Sequence, residues 1–198
     1  MKHLFLVPAF LAAMSLPAMA EMLSLDAIST YINSFTAAQS SFTQVNADGS
    51  KSSGTIYIQR PGRARFEYAG DDALVMAGGG QVAIFDPKSN NPPEQFPLKR
   101  TPLNLILAEK VDLKRAKMVT GFGANDSSAI IEAQDPEHPE YGSIRLFFTS
   151  DPVRLEKWVI TDGGGGETTV ELRDLQPGGQ FPANYFDITF ETNRRLGN

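Results

Sequence analysis

The stretch "GTIYIQRPGRARFEY", Gly54 to Tyr68, decides how the rest of the chain is read. It predicts two strands hinged at Arg60-Pro61-Gly62. Side chains alternate between the two faces of a strand, so Ile56, Ile58 and Arg60 share one face and Thr55, Tyr57 and Gln59 the other. Beyond the turn, Ala64, Phe66 and Tyr68 lie opposite Arg63, Arg65 and Glu67. Each strand thus has one apolar face. Arg60 ends the first of these faces, where burial of its charge is costly. The neighbouring Arg63 and Arg65 fall on the polar face and read as solvated.

Alternation of the same kind recurs downstream. "SSFTQVN" reads as a strand ahead of the turn at Asp48-Gly49, and "ALVMAGGGQVAIFDP" as two strands around Gly78-Gly79-Gly80. "SAIIEAQ" is a further strand. "SIRLFF" places Ile144, Leu146 and Phe148 on one face. "VRLEKWVI" carries Val153, Leu155 and Val159, interrupted by Lys157. "TTVELRDL" sets Val170 with Leu172, and "YFDITFET" predicts a strand with Phe186, Ile188 and Phe190 on one face. The segment "SNNPPEQFPLKRTP" reads as a proline-rich loop. Two helices complete the pattern. Leu25, Ile28, Ile32 and Phe35 recur at helical spacing over residues 24–38, with Ser24 as cap and Asp26 in the first turn. "PLNLILAEK" predicts a short helix with Thr101 as cap, Pro102 in the first turn, and an apolar stripe of Leu103, Ile106 and Leu107.

Two helices are few for a sheet of about ten strands. The expected fold is therefore mainly β: a strongly curved antiparallel sheet, apolar within, forming an unclosed barrel with the helices as a lid. The inward face is predicted to carry Ile56, Ile58, Phe66, Tyr68, Ile144, Leu146, Phe148, Phe186, Ile188 and Phe190, with Leu103, Ile106 and Leu107 facing them from the lid.

The beginning of the chain has a different character. Lys2 and His3 precede an apolar run from Leu4 to Leu16, followed by Ala18-Met19-Ala20. A short apolar core ending in a small-x-small site predicts a signal peptide over residues 1–20, with cleavage after Ala20 and export of a single domain over 21–198. The 198 residues contain no cysteine, which excludes disulfides, thiolate metal sites, cysteine nucleophiles and lipid modification at a cysteine. A net charge of −5 argues against nucleic acid as a partner.

Catalytic signals are weak. His138, in the loop "DPEHPEY", is the single histidine after the signal segment; Glu137 and Glu140 flank it, a solvated arrangement rather than a metal site. The glycine runs "AGGGQ" and "DGGGGE" lack the Lys-Ser/Thr and helix of a phosphate loop and read as turns. No metal or cofactor is expected. An acid/base pair brought together by the fold, and with it an enzyme acting on a small hydrophobic substrate, stays open as an alternative. So does a binding module for another lipid or for a sensor partner.

"SFTQ" at 41–44, "GTIYIQRPGRARFEY", "FDP" at 85–87 and "TPLNLIL" at 101–107 occur in the order seen in the LolA family, which the chain resembles over most of its length. The most specific part is Arg60-Pro61 after an alternating strand, with Phe66 six residues beyond the arginine. The resemblance implies a half-open antiparallel barrel with a helical lid. It implies a monomeric periplasmic carrier without catalysis. Such a carrier takes acylated lipoproteins from an inner-membrane ABC exporter to an outer-membrane acceptor, LolB. It also implies that Arg60 bonds to the lid and helps open and close the cavity. The chain departs from the family pattern at Ala64, where many members carry an aromatic, and at Ala83-Ile84, where many carry tryptophan. These departures imply a differently shaped cavity. An arginine at such a rim needs acceptors, from lid carbonyls, from lid carboxylates or from a fixed carboxylate at the core edge.

Overall fold

The computed structural model describes residues 23–125 and 127–197; the signal segment predicted over 1–20 lies outside them. Helix α1, Leu25–Asn33, begins as its sequence demands, with the Ser24 hydroxyl accepting from the Ala27 amide and Ile28 and Ile32 buried. It stops earlier than residue 38 because the Ser34 amide and hydroxyl both donate to the Tyr31 carbonyl. The chain then straightens into β1, Ala37–Val45. β2 (Lys51–Gln59) and β3 (Arg63–Tyr68) form the hairpin expected from Gly54 to Tyr68, with Ile56 opposite Phe66 and Ile58 opposite Ala64. Gly62 closes its turn at φ 71°, a left-handed conformation that favours glycine.

β4 (Leu74–Gly78) and β5 (Gln81–Phe85) follow as a second hairpin. The proline-rich stretch is not all loop: Glu94–Pro97 forms β6, an edge strand where proline's missing N–H is tolerated. A 3₁₀ turn at Leu98–Arg100 and the single-turn helix α2, Asn104–Leu107, come next. Thr101 does not cap α2; its hydroxyl donates to the Leu98 carbonyl and closes the preceding turn. The remaining strands are β7 (Val119–Ala124), β8 (Ala129–Gln134), β9 (Gly142–Ser150), β10 (Val153–Asp162), β11 (Glu167–Leu172) and the short β12 (Gln176–Pro177).

All twelve strands form one antiparallel sheet in the order β6-β5-β4-β3-β2-β1-β11-β10-β9-β8-β7, with β12 beside β1. The two ends of this order, β6 and β7, do not pair, so the barrel is unclosed. They are consecutive in sequence. The segment that joins them, residues 98–118, must therefore cross the mouth of the half-barrel, and α2 lies within it. The helical cover over the concave face thus follows from the strand order itself. The main core fills that face, from Ala38, Phe42, Ile56, Ile58 and Phe66 to Leu146, Phe148 and Trp158, under α1 and α2.

The C-terminal stretch differs from the sequence expectation. "YFDITFET" is not a strand: Ile188–Leu196 is helix α3. Asp187 caps it by accepting from the Phe190 amide, Glu191 lies in its first turn, Arg194 and Arg195 in its last, and Gly197 ends it at φ 73°. Phe186, Ile188 and Phe190 consequently do not reach the concave face. Ile188 packs on Leu74, Met76, Ala83 and Phe85, a second small core on the convex side of β4 and β5. Phe186 meets Phe181 and Tyr185 edge-on, and Phe190 is 47% exposed.

Arg65 is also not solvated. It is buried on the convex face between β3 and α3, where it pairs with Glu67 at 2.6 Å and with Glu191 at 3.4 Å and lies over the Tyr185 ring. Burial by itself would raise the pKa of Glu191. Hydrogen bonds from Arg194 and Arg195 and the charge of Arg65 instead bring it from 4.5 down to about 2. A carboxyl depressed on folding stabilises the folded state above its unfolded pKa, and that stabilisation fades as pH falls through its folded value. The difference in denaturant midpoint between wild type and Glu191→Gln is therefore expected to be largest above pH 4.5 and to shrink steadily toward pH 2.

Candidate functional site

The β2–β3 turn places Arg60 beneath the two lid elements. The residue is 6% exposed and makes no ion pair among the described residues. Backbone carbonyls take its charge. Nε donates to Ala108 O at 2.9 Å, Nη1 to Phe35 O at 3.0 Å and to Ile32 O, and Nη2 to Ala108 O at 2.7 Å and Glu109 O at 3.1 Å. Nη2 also donates to the Asn33 Oδ1 at 2.9 Å. Ile32 O lies in the last turn of α1 and Ala108 O at the C-cap of α2, while Phe35 O and Glu109 O lie just beyond these ends. Burial lowers the arginine's pKa, but a guanidinium stays charged in a protein.

The same two elements are bound to each other. Asn33 donates through Nδ2 to Val111 O at 2.8 Å and accepts the Val111 amide at 3.0 Å. Ser29 Oγ accepts the Leu113 amide at 3.1 Å, and Lys114 pairs with Asp26. The Gly62 amide, beside Arg60, donates to Leu107 O at 2.7 Å. Polar contacts thus tie α1, the α2 segment and the β2–β3 turn together, in addition to the apolar core they share through Ile28, Ile32, Leu107 and Leu113. Every described buried side-chain nitrogen or oxygen has a partner.

Beside this junction lies an apolar cavity of about 320 Å³, within the range of small-ligand pockets. Phe66, Tyr68 and Val75 form one wall, Ile144, Trp158 and Ile160 another, and Pro102, Leu103 and Ile106 the roof. Of the residues expected to face inward, Phe66, Tyr68, Leu103, Ile106 and Ile144 line this cavity. Ile56, Ile58, Leu107, Leu146 and Phe148 are buried in the main core. Ala64 is buried there as well, and Ile84 reaches the cavity.

Trp158 and Ile160 escape simple alternation because of a bulge. Leu155 pairs with Phe148 and Lys157 with Phe147, which leaves Glu156 as the extra residue. Beyond it the faces exchange: Trp158 turns inward opposite Leu146, and Val159 turns out opposite Arg145. The indole then meets Phe66 edge-on at 6.1 Å, and Phe42 meets Phe66 and Tyr68 at 6.0 and 5.2 Å.

Polar groups in the cavity wall are few. Tyr68 donates its hydroxyl to Gln44 Oε1 at 2.9 Å, and burial pushes the phenol's pKa upward, so it is a neutral donor. Gly54, opposite both Phe42 and Tyr68, is required: a Cβ there would lie 2.0 Å from the Glu67 carbonyl. His138 lies apart in its loop, 3.0 Å from Glu140 and stacked on Tyr141. Among the described residues no three acidic or histidine side chains gather as a metal site, and no helix is long and apolar enough to cross a membrane.

Comparison with known proteins places this architecture. The family model described as Outer membrane lipoprotein carrier protein LolA matches residues 33–189. Among solved structures, a putative outer membrane lipoprotein-sorting protein domain from Vibrio parahaemolyticus aligns at a TM-score of 0.50 with 8% identity, covering 85% of this chain and 97% of its own. A LolA superfamily protein from Nitrosomonas europaea aligns at 0.43 with 9% identity, covering 84% and 99%. MucB, solved with MucA(peri), aligns at 0.43 with 13% identity, covering 82% of this chain and 57% of its own. No curated protein sequence matches.

Proposed function

Because the chain belongs to the LolA family of outer membrane lipoprotein carrier proteins, we propose that it is a periplasmic carrier for the acyl chains of lipoproteins. It takes them up from an inner-membrane ABC exporter and delivers them to an outer-membrane acceptor of the LolB kind, and it performs no catalysis. The observation that carries this reading is the pairing of an apolar cavity with a roof held by arginine–carbonyl bonds. Acyl burial gains about 0.8 kcal/mol per methylene, and the membrane offers the same gain. A carrier therefore needs reversible binding rather than maximal binding. Arg60 supplies the opposing bias: each bond it makes in the closed state must loosen for the roof to lift.

Two measurements test this. Lipoproteins identified by mass spectrometry in protein purified from its host should co-purify in stoichiometric amounts. In vitro, affinity for single-chain acyl ligands should rise about fourfold per added methylene and then level off as the cavity fills. An affinity independent of chain length would sink the reading. Ile160 sits at the cavity edge and is 42% exposed, so Ile160→Asp should fold normally. It should weaken acyl binding by at least about tenfold, because an ionised carboxylate then borders the chain.

A further inference from the structure

The apolar cavity does not end at Tyr68 and Gln44. A second hollow lies on their far side and shares Gln44, Tyr68, Val75 and Ile84 with the first. Its other walls are mixed: apolar at Leu74, Phe85 and Pro87, polar at Asn46 and Ser52 from the ends of β1 and β2, and acidic at Asp71 and Asp86 from the turns beside β4 and β5. The concave face of β2 is thus graded. It runs from Arg60 through Ile58, Ile56 and Gly54 to Ser52. A relay of side chains marks the boundary. Tyr68 donates to Gln44 at 2.9 Å, Gln44 Nε2 donates to Asn46 Oδ1 at 2.6 Å, and Asn46 Nδ2 donates to Ser50 Oγ at 2.9 Å.

Each member of this relay keeps unused capacity. Gln44 retains one amide hydrogen and one oxygen lone pair, and the Tyr68 oxygen can still accept. A carbonyl joined to a hydrocarbon chain, as in an amide or ester, matches such a pair. Beyond it the hollow presents acceptors. Asp71 and Asp86 each accept one backbone amide, from Ala73 at 3.1 Å and Lys88 at 2.9 Å, and neither is ion-paired among the described residues. Resting on the carrier reading above, we propose that the two hollows form one bipartite site. The chain occupies the first, its amide or ester linkage sits at Gln44 and Tyr68, and a cationic or uncharged peptide head occupies the second. Heads bearing phosphate or carboxylate are disfavoured there. The site would then select acylated polypeptide over the phospholipids that surround it in an envelope, although both offer the same hydrocarbon.

The test uses the purified full chain and three probes with one palmitoyl chain each: an N-palmitoyl Ser-Lys-Lys amide, methyl palmitate, and palmitoyl lysophosphatidylglycerol. Affinities are read by displacement of diphenylhexatriene at low and high salt. The acyl peptide is expected to bind at least about tenfold tighter than the lysophospholipid, with the ester between them. Asp71→Asn with Asp86→Asn should narrow that gap at least threefold at low salt. Gln44→Leu with Tyr68→Phe should weaken all three carbonyl-bearing probes more than diphenylhexatriene, which has no carbonyl. Lysophospholipid binding equal to that of the peptide, or aspartate variants that leave the gap between peptide and lysophospholipid unchanged, would overturn head selection while leaving the carrier reading intact. If no probe binds, the carrier reading itself fails.

Discussion

If the protein is the carrier proposed above, Arg60→Leu is expected to turn it from one that releases its ligand into one that retains it. Leucine keeps the bulk that fills the space beneath α1 and α2 but removes every donor to Ile32, Phe35, Ala108 and Glu109. The carbonyls beneath the lid are then left without their donors. Hydrogen bonds from a charged donor are worth about 1.5–3 kcal/mol each, and the carbonyls regain part of this from water once the roof lifts. A net bias of about 1.4–2.8 kcal/mol in favour of the open, ligand-bound state corresponds to a 10- to 100-fold gain in acyl affinity. Amide exchange should quicken at residues 30–35 and 104–111, while β1 to β3 stay protected. Loading from the exporter should proceed and transfer to the acceptor should fail. A purely structural arginine would lower the melting temperature without altering transfer. Normal transfer at normal stability would remove the latch role altogether.

Glu191→Ala should have the largest effect on stability. Arg65 lies within the convex face, and this substitution leaves its guanidinium buried with Glu67 as the remaining carboxylate partner. Breaking a buried pair from one side costs about 3–5 kcal/mol where the other charge is left alone; with Glu67 still paired to Arg65, the loss here should be smaller, about 1.5–3 kcal/mol. Arg194 and Arg195 lose the same acceptor, so α3 should come away from β4 and β5 and become open to proteolysis. The apolar cavity is on the opposite face, and ligand affinity of the folded fraction should stay close to wild type. Arg65→Met combined with Glu191→Leu should recover most of the loss, since an apolar pair of similar volume suits the same space. A single variant as stable as wild type in urea would show that water already reaches the pair.

The difference between what was legible and what was not follows the range of the interactions. The β2–β3 hairpin and β9 announce themselves because each alternates apolar and polar residues over its whole length. α1 does so through its cap and stripe. Arg60 is conspicuous because nothing local could satisfy it. The misreadings each have a cause. Phe186, Ile188 and Phe190 alternate as a strand would, yet Asp187, Glu191, Arg194, Arg195 and Gly197 are cap and dipole signals of a helix. Trp158 is displaced by a bulge that no local pattern marks. β7, with Gly121 and Gly123, and β6, with its prolines nearby, carry little alternation, as befits edges. Arg65 reads as a surface residue until Glu191, far along the chain, is folded against it.

The segment across the mouth is stitched at both ends to the margins of the sheet, β6 before it and β7 after it. It therefore acts as a drawstring. Any lengthening of residues 98–118 adds slack without touching a strand, and any shortening pulls the two margins together. The girth of the half-barrel can accordingly be tuned in evolution, or by design, through the length of one loop. Sheet and opening become separable: the strands set the shape of the bowl, and the string sets how wide it gapes.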